Sequence, residues 1–264
     1  MQITAKRIED IQILAQIADF VPEVYSQIEQ NQKTVTKRLQ IGEIQSGAID
    51  IACYGPSLKS TWLVDRPARS VATMTCSGSH DYLRSIGDSP PLYHIECDWR
   101  EHKAEFVKNP WFCTNYLIAS CVHPKLLQYL NGYDVTLWNS DMTPYYYYPA
   151  NELTFRSLGS VGLQAIIVAH ALGYREMHIY GMDCSFKLNG KRHSGPHNGP
   201  AREPDMYVVV ENQLFRTSMV FVMYAKMFVE VVKNMPDTKF ILAGDGMLQE
   251  YMKVLQKNVS GTGQ

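Results

Sequence analysis

The sequence lacks the features that define several large classes of protein. Its 264 residues contain no apolar run of the roughly 18–20 residues that a membrane-spanning helix needs. The first residues, MQITAKRIEDIQ, have no apolar core of a signal peptide. The formal net charge of −1 gives no global field that would attract nucleic acid or an anionic membrane. We therefore expect a soluble protein that does not contact a membrane.

The cysteines also lack a pattern. They form no C-x-x-C pair and no zinc-ligand spacing, and several lie in apolar runs, where a free thiol behaves as a small hydrophobic side chain. The six are Cys53, Cys76, Cys97, Cys113, Cys121 and Cys184. We interpret them as reduced thiols, which together with the N-terminus predicts a cytoplasmic location.

What is present is the composition of an ordinary globular protein, with 45% hydrophobic and 19% charged residues. Near the N-terminus, apolar residues recur at three- and four-residue steps from Ile8 to Ile28, with an interruption near Pro22. This period predicts an N-terminal helical extension over residues 1–45 that packs on the rest of the chain. The alternative is a face that binds a partner.

From Ala48 onward, short apolar runs alternate with helical stretches. The predicted strands are Ile49–Tyr54, Ser70–Thr75, Leu92–Glu96, Trp111–Ala119, Asp134–Trp138, Glu176–Tyr180 and Lys239–Ala243. The predicted helices are Ser57–Asp65, Ser79–Ser85, Pro124–Tyr129, Val161–Leu172, Asn212–Asn234 and Met247–Gln256. Strands separated by helices predict a single α/β domain over residues 46–264, with a mostly parallel sheet flanked by helices. Such sheets bind ligands at the carboxyl ends of their strands.

The first predicted strand ends in Gly-Pro-Ser. Gly55 has no Cβ and lets the backbone approach a ligand, and Pro56 fits the first turn of a helix without losing a hydrogen bond. Ser57 and the N–H groups of the helix that follows would then face an anion. Taken alone, such a junction is more often only a turn.

Three other strand ends or helix starts carry candidate ligand groups. Asp98 follows a predicted strand and suits a ribose hydroxyl or a metal, with a helix cap as the alternative. Ser160 and Gly162 stand at the start of a helix, in half of a nucleotide-binding βαβ unit. Asp183 follows the next strand, where ligands again bind.

A long polar loop, NGKRHSGPHNGPAREPD, follows that strand end. His193 and His197 suit general acid/base work on a bound substrate, because the pKa of histidine lies near neutrality. Lys191, Arg192 and Arg202 suit phosphates or carboxylates. A metal site formed by the histidines and a plain solvated loop are the alternatives.

These motifs together resemble a known family. The segments Gly55–Lys59 (GPSLK), Leu92–Asp98 (LYHIECD) and Gly159–Phe186 (GSVGLQAIIVAHALGYREMHIYGMDCSF) resemble the family that joins archaeal hydroxymethylpterin diphosphokinases (MptE-like) to bacterial Maf flagellin glycosyltransferases. GPSLK, GLQAIIVAHALGYREMHIYGMD and RHSGPHN are also similar to bacterial sialyltransferases of the Campylobacter type. Those enzymes have one Rossmann-like domain and use CMP-sialic acid without a metal. The resemblance covers residues 49–200 and implies a Rossmann-like fold.

The resemblance also implies roles for residues. Gly55, Pro56 and Ser57 would contact the phosphate or ribose of a nucleotide, and Ser160 and Gly162 would hold its base or phosphate. Asp98 and Asp183 are further expected nucleotide contacts. His197 matches the second histidine of the sialyltransferase loop, which is the catalytic base there, and His193 is the other catalytic candidate.

The chain departs from the sialyltransferases at two places. It has Ser185 and Phe186 where they have tyrosines that hold the departing phosphate. It has CSGSH at residues 76–80 where they have an Asn-containing motif, and we include Ser77 of this segment among the expected nucleotide contacts. These departures argue against sialic acid as the donor sugar.

The sequence thus predicts a glycosyltransferase that moves a sugar from a nucleotide-sugar to an acceptor hydroxyl on a glycan, a protein or a modified DNA base. Lys191, Arg192 and Arg202 would stabilise the leaving phosphate, so that no metal cofactor is expected. One alternative is a diphosphokinase that uses ATP and Mg²⁺ with Asp98 and Asp183 as metal ligands. The other is a nucleotide-binding protein without catalysis. A homo-oligomer is compatible with any of these.

Overall fold

The computed structural model describes residues 5–11, 23–64, 72–143, 146–187, 193–194 and 206–261. Its strands are β1 (Ala5–Arg7), β2 (Ile49–Ala52), β3 (Ala72–Cys76), β4 (Tyr93–Glu96), β5 (Asn115–Ala119), β6 (Asp134–Ser140), β7 (Thr154–Phe155), β8 (Glu176–Tyr180), β9 (Met206–Val210), β10 (Gln213–Thr217) and β11 (Lys239–Ala243). Its helices are α1 (Glu23–Thr34), α2 (Leu58–Thr61), α3 (Ser79–Ser85), α4 (Pro124–Tyr129), α5 (Val161–Ala171), α6 (Met219–Lys233) and α7 (Met247–Gly261).

One sheet organises the molecule. Eight strands pair in the order β11-β8-β2-β3-β4-β5-β6-β7, and each of these pairs is parallel. Strands β2 and β8 are buried along nearly their whole length, as expected where helices cover both faces of a sheet. The predicted α/β, Rossmann-like fold with a mostly parallel sheet flanked by helices is confirmed.

The order of the strands creates a switch point beside β2. From β2 the chain proceeds to β3 on one side and continues outward to β7, and it returns through α5 to β8 on the other side of β2. Connections therefore leave β2 and β8 in opposite directions. A parallel sheet opens a crevice at such a point, outside the carboxyl ends of the strands.

Much of the predicted secondary structure is confirmed. Strands Glu176–Tyr180 and Lys239–Ala243 and helices Ser79–Ser85 and Pro124–Tyr129 have the predicted limits. The other predicted strands and helices are present with shifted ends, and the helix Asn212–Asn234 is shortened most, followed by α2 and β5. The first two residues of the predicted strand Ser70–Thr75 lie outside the described residues.

The predicted helix Asn212–Asn234 is wrong in its first part. Gln213–Thr217 is strand β10, which pairs antiparallel with β9, and the helix begins only at Met219. Only residues 211 and 212 separate the two strands, and Glu211 has the positive φ, 53°, that a tight hairpin turn requires. With β1 parallel to β9, they form a separate three-stranded sheet.

The N-terminal region is only partly helical. Ala5–Arg7 is a strand and Ile8–Asp10 is a short 3-10 helix, so the helical period does not describe these residues. Helix α1 starts directly after Pro22, and its Val24 and Ile28 are buried in the same core cluster as the main sheet. The division of the chain at residue 45 stays a prediction. Among the described residues, no helix has the length and apolarity that crossing a bilayer requires.

Candidate functional site

A cavity of about 240 Å³ opens at the switch point. It lies at the carboxyl ends of β2, β3, β4 and β8 and at the start of α5. Its lining consists of residues 53–56, 76–77, 159–163 and 181–185 together with Asp98, Arg100, Lys103, Phe106, His193, Phe221 and Tyr224. Four motifs that are distant in the sequence therefore contribute to one site.

Most of the predicted ligand residues that the structure describes lie in this cavity. Its lining includes Gly55, Pro56, Ser77, Asp98, Ser160, Gly162 and Asp183 of the predicted nucleotide contacts, and His193 of the predicted catalytic pair. Ser57 is fully buried and does not line the cavity. Lys191, Arg192, His197 and Arg202 lie outside the described residues.

Asp183 and Ser57 bind each other. The backbone N–H of Ser57 donates to Oδ2 of Asp183 at 2.9 Å. The carboxylate therefore occupies the helix start where an anion was expected. Burial raises the pKa of Asp183, and its Oδ1 is buried without a hydrogen-bond partner. Gly55 and Gly246 pack against this side chain and leave no room for a Cβ of their own.

The segment His193–Ser194 is fastened to the same strand end. Oγ of Ser194 donates to the carbonyl oxygen of Gly55 at 2.6 Å and accepts the backbone N–H of Lys59 at 3.1 Å. The N–H of Ser194 and Nδ1 of His193 both donate to the carbonyl oxygen of Tyr54, at 3.1 and 3.3 Å. The imidazole also stacks on the Tyr54 ring at 5.1 Å between centroids, and burial raises the pKa of that tyrosine to about 12.

The β3 and β4 ends are organised by a buried carboxyl group, Glu96. Its Oε2 accepts the hydroxyl of Ser77 at 2.7 Å, and its Oε1 accepts the N–H groups of Cys97 and Asp98. Burial raises the pKa of Glu96. Ser77 has a φ of 49°, in the left-handed region that side chains disfavour. Strained residues of this kind concentrate at ligand sites, and Cys184, with a φ of 51°, lines the same cavity.

Two basic residues of the cavity, Arg100 and Lys103, were not predicted. Arg100 donates through Nε and Nη2 to both carboxylate oxygens of Asp98, and Nζ of Lys103 lies 3.6 Å from Oδ2 of the same group. Burial alone would raise the pKa of Asp98, but the Arg100 hydrogen bonds and the Lys103 charge hold it below its ordinary value. The signal in the sequence is the run DWREHK, two residues after the end of β4, which holds two acidic residues, two basic residues and a histidine.

The start of α5 supplies backbone N–H groups. Gly159 has a φ of 66° and turns the chain into the helix, and the side chain of Ser160 makes no capping hydrogen bond. The first N–H groups of an α-helix have no partner within the helix and favour a negative charge. Gly162 has a packing reason of its own, since a Cβ there would lie 2.8 Å from Met182 Cε and 2.9 Å from Cys53 Sγ.

The carboxylates do not form a metal centre within the described residues. No group of three or more His, Cys, Asp or Glu side chains there is placed to hold an ion. Both oxygens of Asp98 accept from Arg100, and one oxygen of Asp183 accepts from Ser57. The donor set therefore fits a Mg²⁺ ion poorly.

The sequence matches no protein-family model and no curated protein. Among solved structures, the fold is similar to that of a Maf glycosyltransferase from Magnetospirillum magneticum AMB-1, with a TM-score of 0.61 and 13% identity over 90% of this chain. The chain spans 42% of the length of that protein. A mammalian sialyltransferase gives a TM-score of 0.40 at 6% identity, over 90% of this chain and 89% of that one. The Maf comparison establishes a shared fold.

Proposed function

We propose that the protein transfers a sugar from a nucleotide-sugar donor to an acceptor hydroxyl on a glycan, a protein or a modified DNA base. The observation that carries the proposal is the single cavity at the switch point, where Gly55, Ser77, Asp98, Ser160 and Asp183 meet. Parallel α/β sheets bind nucleotides at this place. The fold shared with the Maf glycosyltransferase supports this reaction class.

In the proposed reaction, the acceptor oxygen bonds to the anomeric carbon while the bond from that carbon to the nucleotide phosphate breaks. The acceptor proton passes to a histidine, and the phosphate leaves with the bonding electrons. His197 is our candidate base, from its place in the loop. Basic residues Lys191, Arg192 and Arg202 of the loop stabilise the leaving phosphate.

His193 is the second candidate for the base, and it is the one whose surroundings the structure describes. Its Nδ1 donates to the Tyr54 carbonyl, which fixes the ring and leaves the lone pair of the neutral imidazole on Nε2. Because His193 lines the cavity, its Nε2 could accept the proton of an acceptor hydroxyl bound there.

The test begins with the donor. Thermal-shift measurements with CDP-, UDP-, GDP- and CMP-sugars and with ATP should show one preferred nucleotide, since bound ligand stabilises by RT ln(1 + [L]/Kd). Transfer with the preferred donor is then compared for the wild type, His197→Ala and His193→Ala. Loss of transfer with donor binding retained marks the base. Wild-type transfer by His197→Ala and loss in His193→Ala would move the role to His193.

We also propose that the reaction needs no metal ion. Both oxygens of Asp98 accept from Arg100, and Oδ2 of Asp183 accepts the Ser57 N–H, so neither carboxylate has both oxygens available for a metal ion. Transfer is expected to survive excess EDTA. Inhibition by EDTA that Mg²⁺ reverses, together with ATP consumption, would instead identify a diphosphokinase, because phosphoryl transfer needs its charge neutralised. Tight nucleotide binding without release of product would identify a binding protein.

A further inference from the structure

We propose that Arg100 and Lys103, together with the first turn of α5, bind the phosphate of the nucleotide. This inference rests on the proposed function for the identity of the ligand. It places the phosphate by the β4 end of the cavity and α5, and not at the Gly55–Ser57 helix start.

The Gly55–Ser57 junction has few donors left for an anion. The N–H of Ser57 donates to Asp183, and the N–H of Lys59 donates to Ser194. Asp183 lines the cavity and is only 3% exposed to solvent. Its Oδ1 is buried and has no hydrogen-bond partner. A carboxyl oxygen in this position suits a hydroxyl of the ligand better than its phosphate.

Arg100 is held in a geometry that suits a phosphate. Asp98 accepts its backbone N–H at 3.1 Å and its Nε at 2.8 Å, and it also accepts Nη2. These bonds fix the plane of the guanidinium, and no described residue accepts a hydrogen bond from Nη1. Guanidinium groups bind phosphate oxygens through pairs of N–H donors.

Lys103 is a nearly buried cation that shares its carboxylate partner, Asp98, with Arg100. Its side chain is 13% exposed, and its Nζ lies 3.6 Å from Asp98 Oδ2 and 4.6 Å from the centroid of the Phe106 ring. Asp98 thus serves two cations. The oxygens of Glu96 accept bonds from Ser77, Cys97 and Asp98 rather than from Lys103. Because a buried charge is costly without close partners, a phosphate beside Lys103 would complete its coordination.

The start of α5 faces the same space. Residues 159–163 line the cavity with Arg100 and Lys103, and the 11-residue helix begins without a side-chain cap. Its free N–H groups and the positive end of its dipole add to the field of the two side chains. Two cations and one helix start therefore converge on one anion site.

The experiment measures binding, independently of transfer. Isothermal titration uses CMP, CDP, UDP and GDP, inorganic pyrophosphate, and the phosphate-free nucleosides as probes. Lys103→Met removes the charge and keeps the chain length, and Arg100→Lys keeps the charge but removes the fork. Lys108→Met is the matched control, because Lys108 belongs to the same part of the chain but pairs with Glu105 at the surface. Melting temperatures check that each variant is folded.

Lys103→Met and Arg100→Lys are each expected to weaken binding of the preferred nucleotide about ten- to a hundred-fold, the range for losing a charged hydrogen bond. Pyrophosphate binding should fall in parallel, while nucleoside binding and the Lys108→Met control remain at the wild-type level. Wild-type nucleotide affinity in both variants would overturn the proposal, as would a wild type that binds none of the phosphate probes. If nucleotide binding depended on Lys103 but the protein transferred no sugar, the phosphate site would stand and only the proposed function would be wrong.

Discussion

Asp183 has a structural role at the residue scale that is separate from any contact with a ligand. Its carboxylate receives the Ser57 N–H and closes the start of α2, while Gly55 and Gly246 pack against it. The glycine at position 55 is therefore required by the close approach of the β2 and β8 ends, whatever the ligand. We therefore expect stability to depend on the acceptor oxygen of the Asp183 side chain more than on its negative charge.

This role predicts different effects for two substitutions of Asp183. Asp183→Ala leaves the buried Ser57 N–H without an acceptor and should lower the free energy of unfolding by about 1–3 kcal/mol. Asp183→Asn keeps an oxygen for that N–H and should retain most of the stability. Urea denaturation of both variants measures the difference. Equal losses in the two variants would show that the charge, and not the acceptor, stabilises the junction.

At the scale of elements, the His193–Ser194 segment ties the polar loop to the β2 end. Ser194 bridges the Gly55 carbonyl and the Lys59 N–H, and the segment also binds the Tyr54 carbonyl. His193, the second candidate for the base, therefore sits on a segment that contacts the strand end on the cavity wall. Its position should depend on the Ser194 hydroxyl.

Removing that hydroxyl should release the Lys59 amide. We expect Ser194→Ala to increase hydrogen exchange at the Lys59 N–H, which loses its acceptor, and Ser194→Thr to restore the protection. Transfer should fall in Ser194→Ala while the affinity for the nucleotide changes little. NMR or mass spectrometry reads the exchange. Unchanged protection of Lys59 in the alanine variant would contradict the bridge.

The elements also show what could be predicted from the sequence. The run Glu176–Tyr180 is short, alternates polar with apolar residues and lies between Gly173 and Gly181, so its limits depend on local chemistry and were predicted correctly. Strand β10 was missed because the helical period of α6 was extended back across it, although its partner β9 directly precedes it in the chain. The local signal was the MYVVV run before the turn at Glu211, which is typical of a hairpin.

The candidate site divides in the same way. Strand ends predicted that Gly55, Asp98 and Asp183 would meet, because parallel strands bring their carboxyl ends to one edge. Sequence alone could not tell that Ser57 turns to Asp183, or that Arg100 and Lys103 turn toward the cavity. The Ser57 contact depends on the Asp183 carboxylate, whereas Arg100 and Lys103 are placed by the 3-10 segment Glu101–Val107 and by their contacts with Asp98.

At the scale of the whole molecule, two buried histidines link the stability of the fold to pH. His80 of α3 and His94 of β4 lie 4.8 Å apart between ring centroids, and both are fully buried. Nε2 of His80 pairs with the Tyr116 hydroxyl at 3.1 Å, and Nδ1 of His94 pairs with the Thr75 hydroxyl at 3.0 Å. Burial lowers the pKa of both histidines below the ordinary value of 6.5, and for His94 the neighbouring His80 lowers it further.

The sign of the pH effect follows from these directions. Because the unfolded chain binds protons at His80 and His94 more readily than the folded one, the stability from keeping them neutral is complete above pH 6.5 and is lost as the pH falls below it. Glu96 and Asp183 act in the opposite sense, since burial raises their pKa and the folded state then takes up protons more readily. A comparison of variants separates the two effects, because the carboxyl groups are common to all of them.

We therefore expect His94→Gln to flatten the dependence of stability on pH between 6.5 and 5. Glutamine retains a hydrogen bond for Thr75 but takes up no proton, so the slope should fall by up to about 1.4 kcal/mol per pH unit, the value for one proton. Urea denaturation at several pH values measures the slopes, and His123→Gln is the control, since His123 caps α4 and is only partly buried. If His94→Gln and the wild type lost stability in parallel on acidification, the buried histidine pair would not be the source of the acid sensitivity.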